Sequence, residues 1–297
     1  MRVVERVEEL RGLCDAERAG GSVVGFVPTM GSFHDGHRSL LRAARRDTDV
    51  VVASIFVNPL QFAPGEDLST YPRSLEADTA MATDDGVDIL FVPPPPEMYP
   101  VEPVTAVHVS TLTDRLCGAS RPTFFDGVAT VVTKLFAIVG RCRAYFGRKD
   151  FQQLAVVRRL TADLNLPVDV VGCPLVRDVD GLALSSRNAY LRADERWRAT
   201  VLYRSLLSVT DDIVAGERDA TVVRDRLGRL IAGEPRAELD YAAVVDTDTL
   251  EPIDRIAGNV LIACAAQLGG ARLLDNMTVD LRGSDVVVDA GTLTVGV

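Results

Sequence analysis

Short apolar runs that alternate with helical patterns dominate the chain from residue 23 to about residue 172. The first two runs, residues 23–27 and 50–57, are almost uninterrupted, which is typical of strands covered on both faces. Further strands are predicted over residues 88–92, 144–146 and 168–171, and helices over 36–46, 74–85, 128–139 and 151–164. This alternation predicts an α/β fold, a doubly wound, Rossmann-like parallel sheet whose ligands bind beyond the carboxyl ends of the strands.

The pattern changes after about residue 175. Two amphipathic helices are predicted over residues 195–215 and 220–232, and short strands over residues 241–245, 259–265 and 271–276. Helices that are followed by strands, without regular alternation, indicate an α+β arrangement. We therefore predict two domains, a Rossmann-like N-terminal domain over residues 1–175 and a smaller α+β C-terminal domain over residues 176–297.

Composition and charge argue against several classes of protein. A formal net charge of −10 disfavours a general nucleic-acid-binding protein, because phosphate contacts need a basic surface. No apolar stretch has the length of a membrane span, and the first residues lack the apolar core of a secretion signal. Five scattered cysteines, without clustered Cys and His ligands, predict reduced thiols, a cytoplasmic location and no protein-bound metal.

Two of the three histidines lie three residues apart, directly after the first predicted strand, in the segment PTMGSFHDGH (residues 28–37). On the first turn of a helix, His34 and His37 would share one face, and Gly36 would let a flat ring or a phosphate approach the backbone. A helix N-terminus also offers N–H groups and a favourable potential to anions. The segment predicts a nucleoside triphosphate site of the H-x-G-H kind; the alternative is a pair of packing or surface histidines.

Three further motifs carry groups that suit phosphate or a small polar ligand. Residues 146–153, FGRKDFQQ, combine a glycine turn with Lys149 and with Asp150 as a predicted helix cap. Residues 184–188, LSSRN, combine two hydroxyls with a guanidinium, which suits a phosphate clamp. Residues 58–62, NPLQF, follow the second predicted strand, so the Gln61 amide could hold a small polar substrate. Taken singly, the three motifs also fit a capped helix, a polar loop and a turn.

Together and in this order, the motifs resemble the pantoate–β-alanine ligase (pantothenate synthetase) family over essentially the whole chain. The matching segments are residues 28–31 (PTMG), 34–37 (HDGH), 54–59 (SIFVNP), 61–62 (QF), 71–73 (YPR), 146–147 (FG), 149–150 (KD), 152–153 (QQ), 185–188 (SSRN) and 271–276 (ARLLDN). The wider superfamily of class I tRNA synthetases and nucleotidylyltransferases shares only the H-x-G-H helix and a Ser- or Lys-rich loop. Several motifs in the right order are therefore specific for the family.

The resemblance implies a reaction in two steps. The carboxylate of pantoate attacks the α-phosphorus of ATP to give pantoyl adenylate and pyrophosphate, and the amine of β-alanine then displaces AMP to give pantothenate. Mg²⁺ would arrive with ATP, held mostly by phosphate oxygens and water. The resemblance further implies that the first domain binds ATP and pantoate, that the second acts as a lid, and that the chain forms a homodimer through its N-terminal domain.

The resemblance also implies roles for individual residues. The implied ATP-binding residues are Met30, Gly31, Ser32, Phe33, His34, Asp35, Gly36, His37, Gly147, Arg148, Lys149, Asp150, Val176 (through its backbone), Leu184, Ser185, Ser186 and Arg187. The implied catalytic residues are His34, His37, Lys149, Ser185, Ser186 and Arg187, with His37 as the family's proposed proton donor. Gln61 and Gln153 would hold pantoate. The metal needs no protein ligand in this scheme.

Three positions depart from the usual pattern of the family. Arg148 stands where the family has a glutamate, Phe124 replaces a histidine, and Leu184 replaces a methionine. The first two motivate alternatives to an active pantoate–β-alanine ligase. One alternative is a divergent adenylate-forming ligase or nucleotidylyltransferase that uses another small carboxylate, and the other is a non-catalytic paralogue that binds nucleotide.

Overall fold

The computed structural model describes residues 1–283 and 285–294. It contains two compact units. Unit 1 comprises Met1–Asp114, Arg121–Arg148 and Gln153–Cys173, and unit 2 comprises Arg115–Ser120, Lys149–Gln152 and the described residues from Pro174 onward. The domain boundary at residue 175 and the role of the second domain as a lid stay predictions.

A parallel sheet of six strands forms the centre of unit 1. Its strands are β1 (Arg2–Val4), β2 (Val24–Thr29), β3 (Val50–Ile55), β4 (Ile89–Phe91), β5 (Cys142–Gly147) and β6 (Val168–Cys173). They lie in the order β1-β4-β3-β2-β5-β6, and every pair is parallel. This confirms the predicted Rossmann-like sheet. The short β1, in which only Val4 is buried, was not predicted because three residues carry no periodic signal.

The helices of unit 1 lie between or beside the strands of this sheet along the chain. They are α1 (Val7–Ala19), α2 (Asp35–Asp47), α3 (Leu75–Asp84), α4 (Pro95–Met98), α6 (Phe124–Val139) and α7 (Phe151–Asp163). The short helix α5 (Cys117–Ser120) and the first two residues of α7 belong to unit 2. The helix predicted from residue 128 begins four residues earlier, and α1 was not predicted. Ser74, where the predicted helix begins, is the N-cap of α3, but its side chain makes no capping hydrogen bond.

The strand order marks the part of unit 1 at which ligands of such sheets bind. From β2 the sheet grows through β3 in one direction and through β5 in the other. Ligands of open α/β sheets bind at the carboxyl ends of the strands, where the order reverses in this way. Helix α2 fixes this region to the sheet, because Leu40, Leu41 and Ala44 are buried in one cluster with Val27 and Val51. Each fully buried leucine contributes about 2 kcal/mol of transfer free energy.

Unit 2 is built on an antiparallel sheet of four strands. A separate parallel pair is formed by β7 (Val176–Arg177) and β12 (Thr292–Leu293). The strands of the sheet are β8 (Ala237–Asp246), β9 (Asn259–Leu268), β10 (Ala271–Arg282) and β11 (Asp285–Asp289), and they lie in the order β11-β10-β9-β8. Its remaining helices are α8 (Ala193–Ala199), α9 (Val201–Val214) and α10 (Ala220–Ala232). Leu206 of α9 and Leu227 of α10 are buried in one cluster with Ile262 of β9. The predicted α+β character is confirmed.

One predicted helix of unit 2 is two helices. The periodic segment 195–215 is broken at Thr200, which ends α8 and precedes α9. The Thr200 hydroxyl donates to the carbonyl of Trp197 (2.7 Å), three residues back, and the Thr200 amide bonds to the carbonyl of Arg198. These local bonds replace regular helical ones, so the prediction of one continuous helix was wrong.

Three general features bear on function. No helix in the described residues has the length and apolar character needed to cross a membrane. All five cysteines have free thiols and are buried. Residues 1–283 and 285–294 contain no group of three or more His, Cys, Asp or Glu side chains that could hold a metal ion.

Candidate active site

The predicted nucleotide segment forms a loop between β2 and α2, which we call the histidine loop (residues 30–34). His34 is the N-cap of α2 rather than part of its first turn, and its Nδ1 accepts a hydrogen bond from the amide of Gly36 (3.1 Å). The expectation that both histidines lie on the first helical turn was therefore wrong for His34. The two rings are nevertheless adjacent, with centroids 4.1 Å apart.

The cap contact fixes the chemistry of the His34 ring. A ring nitrogen that accepts a hydrogen bond carries no proton, so the hydrogen of this neutral imidazole is on Nε2, which is a donor. The ring of His37 lies 5.3 Å from the ring of Phe33, which is 7% exposed. Packing against these neighbours limits the orientations of His37. His34 thus offers a preset donor at the carboxyl end of β2, next to the ring of His37.

The amides of the histidine loop are occupied by side chains. The Gly31 amide donates to Oγ1 of Thr29 (3.1 Å). The next two amides, of Ser32 and Phe33, donate to Oδ2 (2.8 Å) and Oδ1 (2.7 Å) of Asp78. Thr29 and Asp78 therefore already occupy these three amides of the loop before α2. The prediction that the N-terminus of the helix offers N–H groups to an anion concerns the amides from Asp35 onward, of which that of Gly36 donates to His34, and it stays a prediction.

A buried hydrogen-bond network follows the carboxyl end of β3, next to β2 in the sheet. Asn58 is 0% exposed. Its Nδ2 donates to Oε1 of Gln61 (3.0 Å) and to the carbonyl of Gly127 (3.0 Å), and its Oδ1 accepts from the hydroxyl of Tyr99 (2.8 Å). Burial raises the pKa of Tyr99 to about 12, so this phenol stays protonated and donates. Both N–H donors and the oxygen of the Asn58 side chain therefore have hydrogen-bond partners.

The network sets the direction of the Gln61 amide. Since Oε1 of Gln61 accepts from Asn58, the orientation that would exchange its oxygen and nitrogen is excluded by a clash of two donors. The Nε2 group of Gln61 is left as the donor for a ligand. Gln61 is 7% exposed and lies at the end of a 3-10 turn, Pro59–Gln61. An oriented amide donor of this kind suits an anionic or hydroxyl-bearing ligand.

Helix α6 approaches this turn through a glycine, which gives a test of the network. A Cβ on Gly127 would lie 2.1 Å from the carbonyl oxygen of Leu60 and 2.8 Å from the amide nitrogen of Gln61. We expect Gly127→Ala to lower the free energy of unfolding by about 1–3 kcal/mol, although alanine favours a helix over glycine by roughly 1 kcal/mol. Urea denaturation measures the change.

Gly12 in α1 provides the matched control, because nothing lies within 4 Å of a Cβ built there. We expect Gly12→Ala to stabilise the chain by about 0.4–1 kcal/mol. If both substitutions stabilised the protein, the close approach of α6 to the turn at Leu60 would be contradicted.

The remaining predicted residues of unit 1 lie near the end of β5. Gly147 is the last residue of β5, and Arg148 begins a 3-10 turn, Arg148–Asp150. Gln153 is half-buried on the first turn of α7, as predicted. No hydrogen bond within the described residues joins Gln153 to Gln61. The two amides therefore do not saturate each other.

Phe124, the residue that departs from the family pattern, has a defined structural role. The guanidinium of Arg121 lies 3.8 Å from the centroid of the Phe124 ring. The same guanidinium donates to Oε1 (2.8 Å) and Oε2 (2.5 Å) of Glu66 and to the carbonyl of Gln61 (3.1 Å). Burial raises the pKa of Glu66, but the bonds and charge of Arg121 outweigh this and hold the pKa below its ordinary value. Phe124 thus supports the ion pair beside Gln61 by stacking.

In unit 2, a contact from β10 fixes the backbone of the predicted lysine. The carbonyl of Lys149 accepts a hydrogen bond from Nδ2 of Asn276 (2.8 Å). The Lys149 side chain is 18% exposed, and its Nζ lies 3.5 Å from Oδ1 of Asp150. Asp150, the predicted helix cap, lies in the 3-10 turn before α7. A weakly paired ammonium on a fixed backbone can exchange its carboxylate partner for a phosphate.

The serine–arginine segment of unit 2 begins a 3-10 helix, Ser186–Tyr190, with Ser185 as its N-cap. The Ser185 hydroxyl oxygen accepts the amide of Arg187 (3.3 Å), so its hydrogen is left to donate. Two further contacts order the segment. Nδ2 of Asn188 donates to the carbonyl of Ala183 (3.0 Å), and the Leu184 amide donates to the carbonyl of Val176 (3.0 Å). Val176 and Leu184, both predicted to contact ATP, are thereby neighbours.

Sequence reasoning missed the residues that orient these groups. Asp78, Tyr99 and Asn276 were assigned no role, and Asn58 was interpreted only as part of a turn. Asp78 contacts residues 45 and 46 positions away, so no local spacing could reveal it. Asn276 stands within the matching segment 271–276, which was the available signal for its importance.

Comparisons with known proteins agree with the motifs. The family model described as pantoate-beta-alanine ligase matches residues 2–278. A pantothenate synthetase of Heliobacterium modesticaldum is 51% identical over 281 residues, which are 95% of this chain and 100% of that protein. The solved structure of pantothenate synthetase from Thermus thermophilus has a TM-score of 0.88 and 48% identity, and the match covers 93% of this chain and 98% of that one.

A further solved structure is that of the pantoate-beta-alanine ligase from Francisella tularensis complexed with beta-gamma ATP and beta-alanine. It has a TM-score of 0.75 and 30% identity, and the match covers 93% of this chain and 97% of that one. The family model and the relatives thus each cover nearly all of the chain. The chain therefore belongs to the pantoate-beta-alanine ligase family.

Proposed function

We propose that the chain condenses pantoate with β-alanine at the expense of ATP, through a pantoyl adenylate. In the first step an oxygen of the pantoate carboxylate bonds to the α-phosphorus of ATP, and the bond from that phosphorus to pyrophosphate breaks. In the second step the β-alanine nitrogen bonds to the acyl carbon, loses a proton, and AMP leaves with the electron pair of the acyl C–O bond. The enzyme is thus an AMP-forming ligase of C–N bonds.

The observation that carries this proposal is the oriented imidazole pair at the carboxyl end of β2. The first step concentrates negative charge on the transferred phosphorus and on pyrophosphate, and preset donors stabilise such charge without reorganisation. His34 presents Nε2–H because its Nδ1 is committed to the Gly36 amide. In this proposal His34 and His37 contact the phosphates of ATP, and His37 donates a proton to them as pyrophosphate leaves.

Lys149, Ser185, Ser186 and Arg187 supply the other charge-stabilising groups of the proposal. The ammonium and the guanidinium add positive charge, and the hydroxyls add donors. The remaining ATP contacts are proposed for the residues that the family pattern implies: Met30, Gly31, Ser32, Phe33, Asp35, Gly36, Gly147, Arg148, Asp150, Val176 and Leu184. For Gly31, Ser32 and Phe33 the contact is made by atoms other than the amide N–H, because those amides have side-chain acceptors.

Pantoate is proposed to bind Gln61 and Gln153. The Nε2 donor of Gln61 has a fixed direction, since Asn58 holds the amide oxygen. Such a donor places the pantoate carboxylate or hydroxyl in one orientation, which favours in-line attack. Mg²⁺ enters as the companion of ATP, bound mainly by phosphate oxygens and water. The homodimer and the cytoplasmic location stay predictions.

A pantothenate-formation assay tests the proposal. The purified chain is incubated with ATP, Mg²⁺, pantoate and β-alanine, and pyrophosphate, AMP and pantothenate are quantified. We expect pyrophosphate release to require pantoate, and AMP and pantothenate to form in equal amounts only when β-alanine is present.

A panel of other small hydroxy acids in place of pantoate gives the control for specificity. Faster pyrophosphate release with another acid would contradict the substrate assignment. Binding of ATP in calorimetry without any turnover would contradict catalysis altogether.

A further inference from the structure

Asp78 is a buried carboxylate whose side-chain hydrogen bonds both come from the histidine loop. It lies on α3, and the residue is 2% exposed. Its two oxygens accept the amides of Ser32 and Phe33 at 2.8 and 2.7 Å. Within the described residues these are the contacts that compensate the buried charge, and both come from the histidine loop. A residue that only stabilised α3 would have no need of this geometry.

The backbone of the histidine loop forms a concave site for an anion. Gly31 and Ser32 have φ angles of +83° and +54°, and successive residues in unusual conformations of this kind turn their N–H groups toward one point. For Ser32 the left-handed conformation is unfavourable, because its Cβ crowds the following carbonyl oxygen, so the loop needs a partner that holds it. The carboxylate of Asp78 is that partner.

The contact between Asp78 and the histidine loop is so close that one carbon added at Gly31 would disturb it. A Cβ on Gly31 would lie 2.9 Å from Oδ2 of Asp78 and 2.9 Å from Cγ2 of Ile55. The Asp78 carboxylate and the Ile55 side chain of β3 therefore leave no space for a side chain at position 31.

The held loop leads directly into the imidazole pair. Phe33, whose amide is bound by Asp78, immediately precedes His34, and its ring contacts the ring of His37. A displacement of the Phe33 backbone would therefore move both imidazoles. Occupation of the amides by a carboxylate also prevents a phosphate of ATP from being captured there, away from the imidazoles.

We propose that Asp78 is a positioning residue for adenylation, which fixes the histidine loop and through it His34 and His37. The inference rests on the proposed function, because it assigns the imidazoles to the first half-reaction. Asp78 does not touch the reacting atoms in this scheme. Its effect is geometric, and misplacement of reacting groups by about 1 Å can cost roughly 100-fold in rate.

The test compares Asp78→Asn with Asp84→Asn. The asparagine keeps one acceptor for the loop but turns an N–H₂ group toward the other amide, whereas Asp84 is exposed on the same helix. We expect Asp78→Asn to slow pantoate-dependent pyrophosphate release about 10- to 100-fold, and β-alanine-dependent turnover of supplied pantoyl adenylate to keep most of its rate. We expect Asp84→Asn to retain both rates.

The ratio of the two half-reactions separates positioning from folding. A variant with less folded protein would lose both half-reactions in the same proportion. Equal losses, or no loss in the first half-reaction, would therefore overturn the proposal. If Asp78→Asn does not fold, Gly31→Ala displaces the same contact with the charge kept, and we expect it to lower the same ratio.

A measurement on the unaltered chain tests the contact without relying on turnover. We expect the Ser32 and Phe33 amides to exchange slowly with solvent deuterium, both without and with ATP. Fast exchange of these amides in either state would overturn the proposal. If the chain released no pyrophosphate while these amides stayed protected, the proposed function would fail and the hold of Asp78 on the loop would stand.

Discussion

Replacing His37 by alanine is expected to slow pantoate-dependent pyrophosphate release about 10²- to 10³-fold. The alanine removes a donor that acts on charge which develops as pyrophosphate leaves, so the loss is expected in the rate of adenylation and only modestly in ATP affinity. Single-turnover measurement of pyrophosphate, together with calorimetric titration of ATP, separates the two quantities. An interaction that is stronger in the transition state than in the ground state has this signature.

Two further substitutions make the experiment specific. His37→Gln keeps a donor without the capacity to carry a proton, so a rate between those of the wild type and His37→Ala would indicate that hydrogen bonding and proton donation both contribute. His108→Ala is the matched control, because His108 is exposed and pairs with Asp126 (2.8 Å). Unaltered adenylation in His37→Ala would reject the role of this imidazole.

The sequence predicts an element of the fold well where a local pattern of residues is enough to determine that element. Buried parallel strands read as continuous apolar runs, and the segments at residues 23–27 and 50–57 became β2 and β3 with shifts of one or two residues. The motifs also indicate which strands are followed by candidate site residues. Gly147 ends β5, and the histidine loop follows β2, next to β5 in the sheet.

The parts that the sequence could not predict depend on contacts between distant segments. The segment at residues 28–37 predicts a loop that follows a strand, but no local pattern reveals that Thr29 and Asp78 accept the amides of Gly31, Ser32 and Phe33. Similarly, the motif at residues 58–62 indicates that Gln61 is near a ligand, but only Asn58 and the partners of Asn58 decide which way its amide points. Substrate orientation is therefore encoded in residues that the motif alone does not distinguish.

The unit 2 residues next to Lys149 lead to the second large expected effect, on stability. Arg177 and Asp275 have side chains that are 1% and 2% exposed. They form a bidentate pair, with N–O distances of 2.6 and 2.8 Å, and the other donors of Arg177 bind the carbonyls of Ala290, Gly181 and Asn276. The guanidinium also lies 4.5 Å from the centroid of the Tyr203 ring. All five N–H groups of this buried cation thus have acceptors.

We expect Asp275→Asn to lower the free energy of unfolding by about 3–5 kcal/mol, because it leaves the buried guanidinium without its counter-charge. Urea denaturation measures the loss, and Asp280→Asn on the same strand is the control, since the side chain of its partner Arg282 is 76% exposed. We expect that control to change stability by less than about 0.5 kcal/mol. The double variant Arg177→Met, Asp275→Leu removes both charges, so it is expected to be more stable than Asp275→Asn.

Activity gives the second readout of the same substitution. Oδ1 of Asp275 also accepts the amide of Asn276 (2.7 Å), and Asn276 holds the carbonyl of Lys149 (2.8 Å). A loosened Asp275 therefore releases the backbone that carries the ammonium, and we expect adenylation by the folded fraction of Asp275→Asn to fall as well. An unchanged free energy of unfolding in Asp275→Asn would show that the buried guanidinium of Arg177 does not need the charge of Asp275. Normal adenylation in a clearly destabilised Asp275→Asn would instead show that Lys149 is positioned independently of β10.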